Sequence, residues 1–487
     1  MLATYVIQAL SSDGRGIARG NPGEKVTFVS QALPGETVLA RFLSERRTFC
    51  EAEAVEILSA SPHAVSAPCP HQALCGGCPL MRLDYAEQLV WKERFVRDAL
   101  TRIGGLSTPP LEPILASPET VEYRNRVELA FGTDEKGRVR LGMRRRQSHA
   151  IVPTPSCRLI PGSAKGFIAS IEELVSEQEL SAYVPPEETG HRGRGRRQTR
   201  GGRGYLRFCQ LRFATIPDAA SIACADHLPG QQGIWVIFLT SPGTRREKAS
   251  MRRIATDLLL RHPGVHCIVH EERAAQDMLV RGEKRLLALG RCEEGASGTL
   301  DPALMLMPLA GRTYLTDAAD FFQVNGGAAD LLVQAAKGCC TDKKPDALMD
   351  LYCGVGAPGL SLGASSLLGV EYSPTAVATA RRNARRFGCK ADYDAGDAAQ
   401  VLSQQKWLSA PCTHLLCDPP RSGMDNTVRD FIRRRLPQSI VYVSCNPATL
   451  ARDVRDLAPL YSLQKTIPID LFPHTAHVES VSLLVRN

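Results

Sequence analysis

No stretch of the chain approaches the ~20 consecutive apolar residues that a bilayer-spanning helix needs, so a membrane protein is not expected. The apolar opening stops at Leu10. Ser11-Ser12-Asp13 follow with no cleavage signature, so no signal peptide is expected and a cytoplasmic location is the default. A disulfide scaffold is excluded too: 487 residues, 44% of them hydrophobic, are enough to bury real cores. That length implies two to four domains. Sixteen cysteines are present all the same. Single ones within apolar strands, such as Cys209 and Cys267, read as small buried hydrophobes. Beyond these, cysteine chemistry in the cytosol means thiolates or metal.

The net charge is +8, from 59 basic and 51 acidic residues, which favours a polyanionic partner. Residues 191–204 hold six arginines among glycines and no acid. Such a tract cannot build a core, so a disordered loop touching nucleic acid is expected. The triplets Arg144-Arg145-Arg146 and Arg433-Arg434-Arg435 read as solvated faces.

Short apolar runs at 5–10, 25–30, 36–43 and 50–58, separated by Asp13-Gly14-Arg15-Gly16 and Pro34-Gly35, predict a small closed β-barrel over 1–60. A Ser/Pro/Ala linker follows, then Cys69-x5-Cys75-x2-Cys78 and an amphipathic helix over 85–103 with Leu89, Phe95, Val96, Leu100 and Ile103 on one face. Strand-like segments predict an α+β central domain over 61–300. Over 301–487 strands and helices alternate: strands at 347–352, 367–371, 413–417, 439–443 and 478–485, with a helix at 375–387. That alternation predicts a Rossmann-like, doubly wound α/β domain.

The chemistry-bearing residues end these strands. Asp350-Leu-Tyr-Cys-Gly-Val-Gly356 opens a glycine turn of the G-x-G-x-x-G kind, which alone would also fit a dehydrogenase. Glu371 ends the next strand, where a carboxylate can accept both ribose hydroxyls of NAD or of S-adenosylmethionine. Asp350 within its strand favours the methyl donor. So do the thiol Cys445, in Ile-Val-Tyr-Val-Ser-Cys-Asn-Pro, and the carboxylate Glu479, in Phe472-Pro-His-Thr-Ala-His-Val-Glu479, because hydride transfer needs neither. A thiol nucleophile, a base and a methyl donor suit methylation of a carbon that is not nucleophilic by itself. Cys445 is the expected nucleophile and Glu479 the expected base. Cys353 and Cys417 are rival thiols, each placed to face the core or the cofactor. Asp418 and Arg421, in Cys-Asp-Pro-Pro-Arg, stand at a strand's carboxyl end, where such sheets bind ligands.

Phe321-Phe-Gln-Val-Asn325 and the four motifs above occur in this order within about 160 residues. Together they resemble the RNA uracil-5-methyltransferase family. The N-terminal turns are similar to those of a TRAM domain, an OB-like RNA-binding module, and with the cysteines they extend the likeness to the 23S rRNA branch. The resemblance implies cofactor contacts at Gln323, Tyr352, Glu371, Asp397 and Asp418, and RNA, by preference 23S rRNA, bound by a monomer with a flipped-out target base. Ala357 departs from the family, which commonly has Asn there.

Cys69, Cys75, Cys78 and a distal Cys157 offer four thiolates, which zinc or a [4Fe–4S] cluster would accept. Spacing alone leans to zinc; the resemblance implies [4Fe–4S]. A radical S-adenosylmethionine enzyme, usually C-x3-C-x2-C, does not match the x5 spacing. Three other functions stay open: tRNA uracil-5-methylation, RNA cytosine-5-methylation, and a non-catalytic RNA-binding assembly factor.

Overall fold

The computed structural model describes the chain except residues 20–24, 147, 165, 187–201, 228–229, 292–300 and 341–344. Residues 191–201 of the Arg/Gly tract, and with them its expected disorder and RNA contact, lie outside the described residues. The chain forms two compact units. One comprises Met1–Ala73, Gly77–Thr120 and Asn325–Asn487; the other comprises Leu74–Gly76 and Val121–Val324. These differ from the expected divisions at 60/61 and 300/301, for reasons visible in the packing of each unit.

The first unit begins with β1 (Leu2–Val6), β2 (Ala9–Leu10), β3 (Gly16–Ala18), β4 (Val26–Ser30), β5 (Thr37–Glu45) and β6 (Phe49–Ser59). They form one six-stranded sheet in the order β1-β5-β6-β4-β3-β2. Its two edge strands are consecutive in sequence. Between them, Ile7 donates its N–H to Glu36 and Gln8 donates to Ile17, at 2.9 Å each. Ile7, Val29, Val38, Ala40 and Ala52 make its core. A Cβ on Gly16 would stand 2.7 Å from Ile7 Cγ2, so only glycine fits that crossing. Helix α1 (Tyr85–Arg102) is capped by Asp84, which accepts from the Ala86 N–H at 3.0 Å. It buries Gln88, Trp91, Lys92, Phe95, Val96 and Leu100. Val96 and Leu100 pack with Ala451 and Val478, which is why this helix belongs with the C-terminal residues and not with the central domain.

The second unit is built on β7 (Arg126–Thr133), β8 (Val139–Arg144), β9 (Ile151–Pro153), β10 (Leu206–Thr215), β11 (Gln232–Thr240), β12 (Val265–Glu272), β13 (Lys284–Gly290), β14 (Leu304–Leu309) and β15 (Arg312–Asp317). The sheet runs β13-β12-β11-β10-β7-β8-β9, with the β14–β15 hairpin attached to β10. That attachment moves residues 304–317 out of the expected catalytic domain. Helices α2 (Phe167–Glu177) and α4 (Arg245–Arg261) pack on the face carrying Val127, Leu129, Leu211, Val236 and Phe238; α3 (Ala219–Ala223) is a short turn.

The first unit resumes with α5 (Gly326–Cys339) and then alternates: β16 (Ala347–Leu351), α6 (Ala357–Leu362), β17 (Ser366–Glu371), α7 (Pro374–Arg386), β18 (Ala391–Ala395), α8 (Ala398–Val401), α9 (Gln405–Ser409), β19 (His414–Cys417), α10 (Asn426–Arg435), β20 (Ser439–Ser444), α11 (Pro447–Leu457), β21 (Tyr461–Ile469) and β22 (Glu479–Arg486). The strand order is β18-β17-β16-β19-β20-β22-β21, parallel through β20, with β22 antiparallel to both its neighbours. β16 and β20 are buried along their whole length, as strands covered on both faces must be. Successive strands run outward from β16 in opposite directions, so the topological switch lies between β16 and β19. Residues 111 and 115 bridge to Thr466 and Ile469 of β21 and extend the sheet at that edge.

Candidate active site

Five loops meet the carboxyl ends of the parallel strands, the place where ligands enter open α/β sheets. After β16 the chain turns through three positive-φ residues: Tyr352 at 65°, Gly354 at 54° and Gly356 at 81°. The left-handed conformation of Tyr352 is a strained choice for a non-glycine residue. Asp350 is 1% exposed and accepts the Gly359 N–H at 3.1 Å, which ties the strand to the start of α6. A Cβ on Gly359 would stand 2.4 Å from that carboxylate oxygen. Glu371, ending β17, accepts from Gly354 N–H at 3.1 Å and Ser373 N–H at 2.9 Å, one on each oxygen. Both oxygens keep a lone pair for a ligand hydroxyl. Asp397 is exposed and caps α8.

Beyond the switch point, Asp418 follows β19 and donates its N–H to Leu351 at 3.3 Å. Burial pushes its carboxyl up to about 7. Arg421 lies on the next exposed turn, where its guanidinium reaches His477 Nε2 at 3.2 Å. The buried Asp453 of α11 braces that turn, accepting from Met424 N–H at 2.9 Å, Tyr442 OH at 2.8 Å and Arg429 at 2.9 Å.

Cys445 sits between the end of β20 and the start of α11. Asn446 caps that helix, accepting from Ala448 N–H at 3.1 Å, and its Nδ2 donates to the Arg421 carbonyl at 3.0 Å. Ser444 pairs with Ser480 at the end of the β20–β22 ladder; Cys445 is the residue after Ser444 and Glu479 the residue before Ser480. Burial first, then the Glu479 and Asp418 carboxylates, push the Cys445 thiol up to about 11, while Arg421 pulls it down. Glu479 is 5% exposed; burial and then Asp418 hold its carboxyl well above the usual range. Asp350 is raised for the same reasons, burial first and then Asp418 and Glu371. Four carboxyl groups therefore surround one end of the sheet, a setting that favours a bound cation. Cys353 and Cys417 are buried, and burial pushes both thiols well up.

Gln323 belongs to the other unit, half-buried, with its carbonyl accepting from Asn125 Nδ2 at 2.8 Å. Among the described residues no three His, Cys, Asp or Glu come together in an arrangement that could hold a metal ion. Cys69 and Cys78 belong to the first unit, Cys75 and Cys157 to the second. No step is derived through a cluster. The arginine triplets are less free than expected. Arg144 lies over the Phe208 ring at 5.2 Å, Arg433 pairs with Asp430 and Asp456, and Arg435 donates to the Leu408 and Ala410 carbonyls.

Sequence reading gave Asn325 no role of its own and missed Gln88, Lys92 and Asp470. Asn325 caps α5 through Ala328 N–H and donates to Ser117 Oγ at 3.0 Å and the Leu471 carbonyl at 3.1 Å. Lys92 and Asp470 are 378 residues apart and meet at 2.6 Å. No local spacing signals such a pair.

A family model described as tRNA (uracil-5-)-methyltransferase matches residues 400–487. A protein of Nitratidesulfovibrio vulgaris described as an uncharacterized RNA methyltransferase is 32% identical over 99% of this chain and 96% of its own length. One from Gloeobacter violaceus, similarly described, is 33% identical over 99% and 96%. The crystal structure of Pyrococcus abyssi tRNA (uracil-54, C5)-methyltransferase in complex with S-adenosyl-L-homocysteine shares the fold at a TM-score of 0.70, with 24% identity over 99% of each chain.

Proposed function

Because this chain belongs to the RNA uracil-5-methyltransferase family and is an S-adenosylmethionine-dependent RNA methyltransferase, we propose that it methylates C5 of a uridine in 23S ribosomal RNA through a covalent Cys445–C6 bond. The observation that supports the reading is the β20–β22 ladder, whose last pair, Ser444 with Ser480, is flanked by Cys445 and Glu479 at an acid-lined sheet end.

S-adenosylmethionine, when bound, supplies a methyl group on a cationic sulfur. Glu371 suits its ribose hydroxyls, since both carboxylate oxygens are already oriented by backbone N–H groups. Tyr352, Asp397, Asp418 and Gln323 are the further cofactor contacts of this reading. The Cys445 sulfur adds to C6 of the uracil, and the C5=C6 electron pair moves out to give an enolate. C5 then gains the methyl. Glu479 takes the C5 proton; the freed pair re-forms C5=C6 and expels the Cys445 thiolate. Burial beside Asp418 raises the proton affinity of Glu479, the property a base for a carbon-bound proton needs. Arg421 favours the thiolate.

The six-stranded sheet of β1–β6 fits a TRAM-like RNA-binding role, supported by its bridged edges and its Asp13–Gly16 turn. A [4Fe–4S] cluster on Cys69, Cys75, Cys78 and Cys157 rests on the resemblance alone.

Incubation with methyl-labelled S-adenosylmethionine and unmodified bulk RNA, followed by nucleoside analysis by fraction, tests the function. Label in 5-methyluridine of large-subunit rRNA is expected. Label in tRNA keeps the chemistry and overturns the substrate; label in 5-methylcytidine overturns the uracil assignment.

A further inference from the structure

Between β21 and β22, residues 470–478 form a strap with no regular secondary structure, yet all but Phe472 and His477 are buried. A buried irregular segment must find partners for its backbone groups. Here one helix supplies several of them. Gln88 and Lys92 lie one turn apart on α1, both fully buried. Lys92 Nζ donates to Asp470 Oδ1 at 2.6 Å and to the Phe472 carbonyl at 3.0 Å. Phe472 N–H returns to the same Asp470 oxygen at 3.1 Å. Gln88 Oε1 accepts His474 N–H at 2.9 Å, while its Nε2 donates to the Leu80 and Leu83 carbonyls at 3.1 and 2.8 Å. Leu80 N–H closes the network on the His474 carbonyl at 3.0 Å.

The strap is also held sterically. His474 takes a left-handed φ of 68°, which a non-glycine residue adopts only when its surroundings dictate it. A Cβ on Gly14 would stand 3.3 Å from the Ala476 Cβ, so the N-terminal turn packs directly on the strap. Val478 packs among Val96, Leu100 and Ala451. The next residue is Glu479. A fully buried ion pair is a poor route to stability, because desolvation offsets most of its attraction. The Lys92–Asp470 pair instead fixes where the strap ends.

We propose that Gln88 and Lys92 are positioning residues for Glu479, acting through the 470–478 strap to hold its carboxylate at the C5 proton. The proposal rests on Glu479 being the base, and it makes a step-specific demand. Addition of Cys445 and methyl transfer do not use Glu479; release of the methylated RNA does. Loss of either positioning residue therefore slows release and spares adduct formation.

The test uses the full chain, uridine-containing RNA and methyl-labelled S-adenosylmethionine, and follows both a denaturant-stable protein–RNA adduct carrying label and free methylated RNA. Three variants are compared: Gln88→Leu, the charge-free double variant Lys92→Met with Asp470→Asn, and Glu479→Gln. Expected are adduct formation within about threefold of wild type and release slowed ~10–100-fold in the first two, so that labelled adduct accumulates as it does in Glu479→Gln. Equal loss of adduct formation and release, no change in either, or unfolding of both positioning variants would assign the network to stability and overturn the proposal. Normal release by Glu479→Gln would overturn the base itself, an outcome distinct from the others.

Discussion

Cys445 occupies surroundings that oppose its ionisation. Burial and two carboxylates outweigh one guanidinium, and the thiol titrates near about 11. In the proposed mechanism the thiolate would therefore form on substrate binding rather than be stored at neutral pH. Alkylation of Cys445 by iodoacetamide, followed on its tryptic peptide, should rise about tenfold per pH unit from 7 to 10. Arg421→Ala removes a cation that favours the thiolate and should lower that rate at every pH. A rate already at its plateau at pH 7 would mean a preformed thiolate and contradict the electrostatics. Cys445→Ala should abolish turnover while RNA binding survives.

At the scale of elements, the turn from β16 into α6 depends on a close approach that only one residue permits. Gly359 gives its N–H to Asp350, and any Cβ there would collide with the acceptor oxygen and with Leu367 Cδ1 at 2.7 Å. Gly354 has nothing within 4 Å of its missing Cβ and demands only a positive φ. Gly359→Ala should therefore destabilise the fold by about 1–3 kcal/mol and weaken S-adenosylmethionine binding. Gly354→Ala should cost about 1 kcal/mol. Thermal unfolding and calorimetric titration of the two variants check the order. The reverse order would mean that the Asp350–Gly359 bond does not hold the turn.

For the whole molecule the decisive feature is charge. Asp350, Asp418, Glu371 and Glu479 collect at one end of one sheet, and burial keeps three of them above their ordinary range. Asp418 moves from 3.8 to about 7, so the native state holds a proton that the unfolded chain has lost. Its contribution to stability is full below the unfolded value and is lost as the pH rises through about 7. In the proposed site a bound sulfonium would offset that loss; the neutral thioether product would not. The extra stabilisation by S-adenosylmethionine over S-adenosylhomocysteine, both at saturation, should therefore grow between pH 5.5 and 8, by about 2–4 °C in Tm. A difference independent of pH would separate the acids from the cofactor's charge.

Much of the site was legible because its parts are local. A thiol after a buried strand, a carboxylate at a strand end and glycines in a turn are set by short-range sterics and by burial, and runs such as Ser439–Ser444 show this directly. The strands missed were the ones whose pattern is weak. β3 has three residues, β18 is Ala-Asp-Tyr-Asp-Ala on a sheet edge, and β21 carries polar residues and Pro468 on the opposite edge. The β14–β15 hairpin read as catalytic because apolar alternation does not say which sheet a strand joins. By itself, then, the sequence determined the kind of chemistry, through residue types at strand ends. Only the tertiary structure decided the hold of Gln88 and Lys92 on the strap. The physical reason is that a buried polar group takes whatever partner the packing brings to it, and here packing joined residues nearly four hundred positions apart.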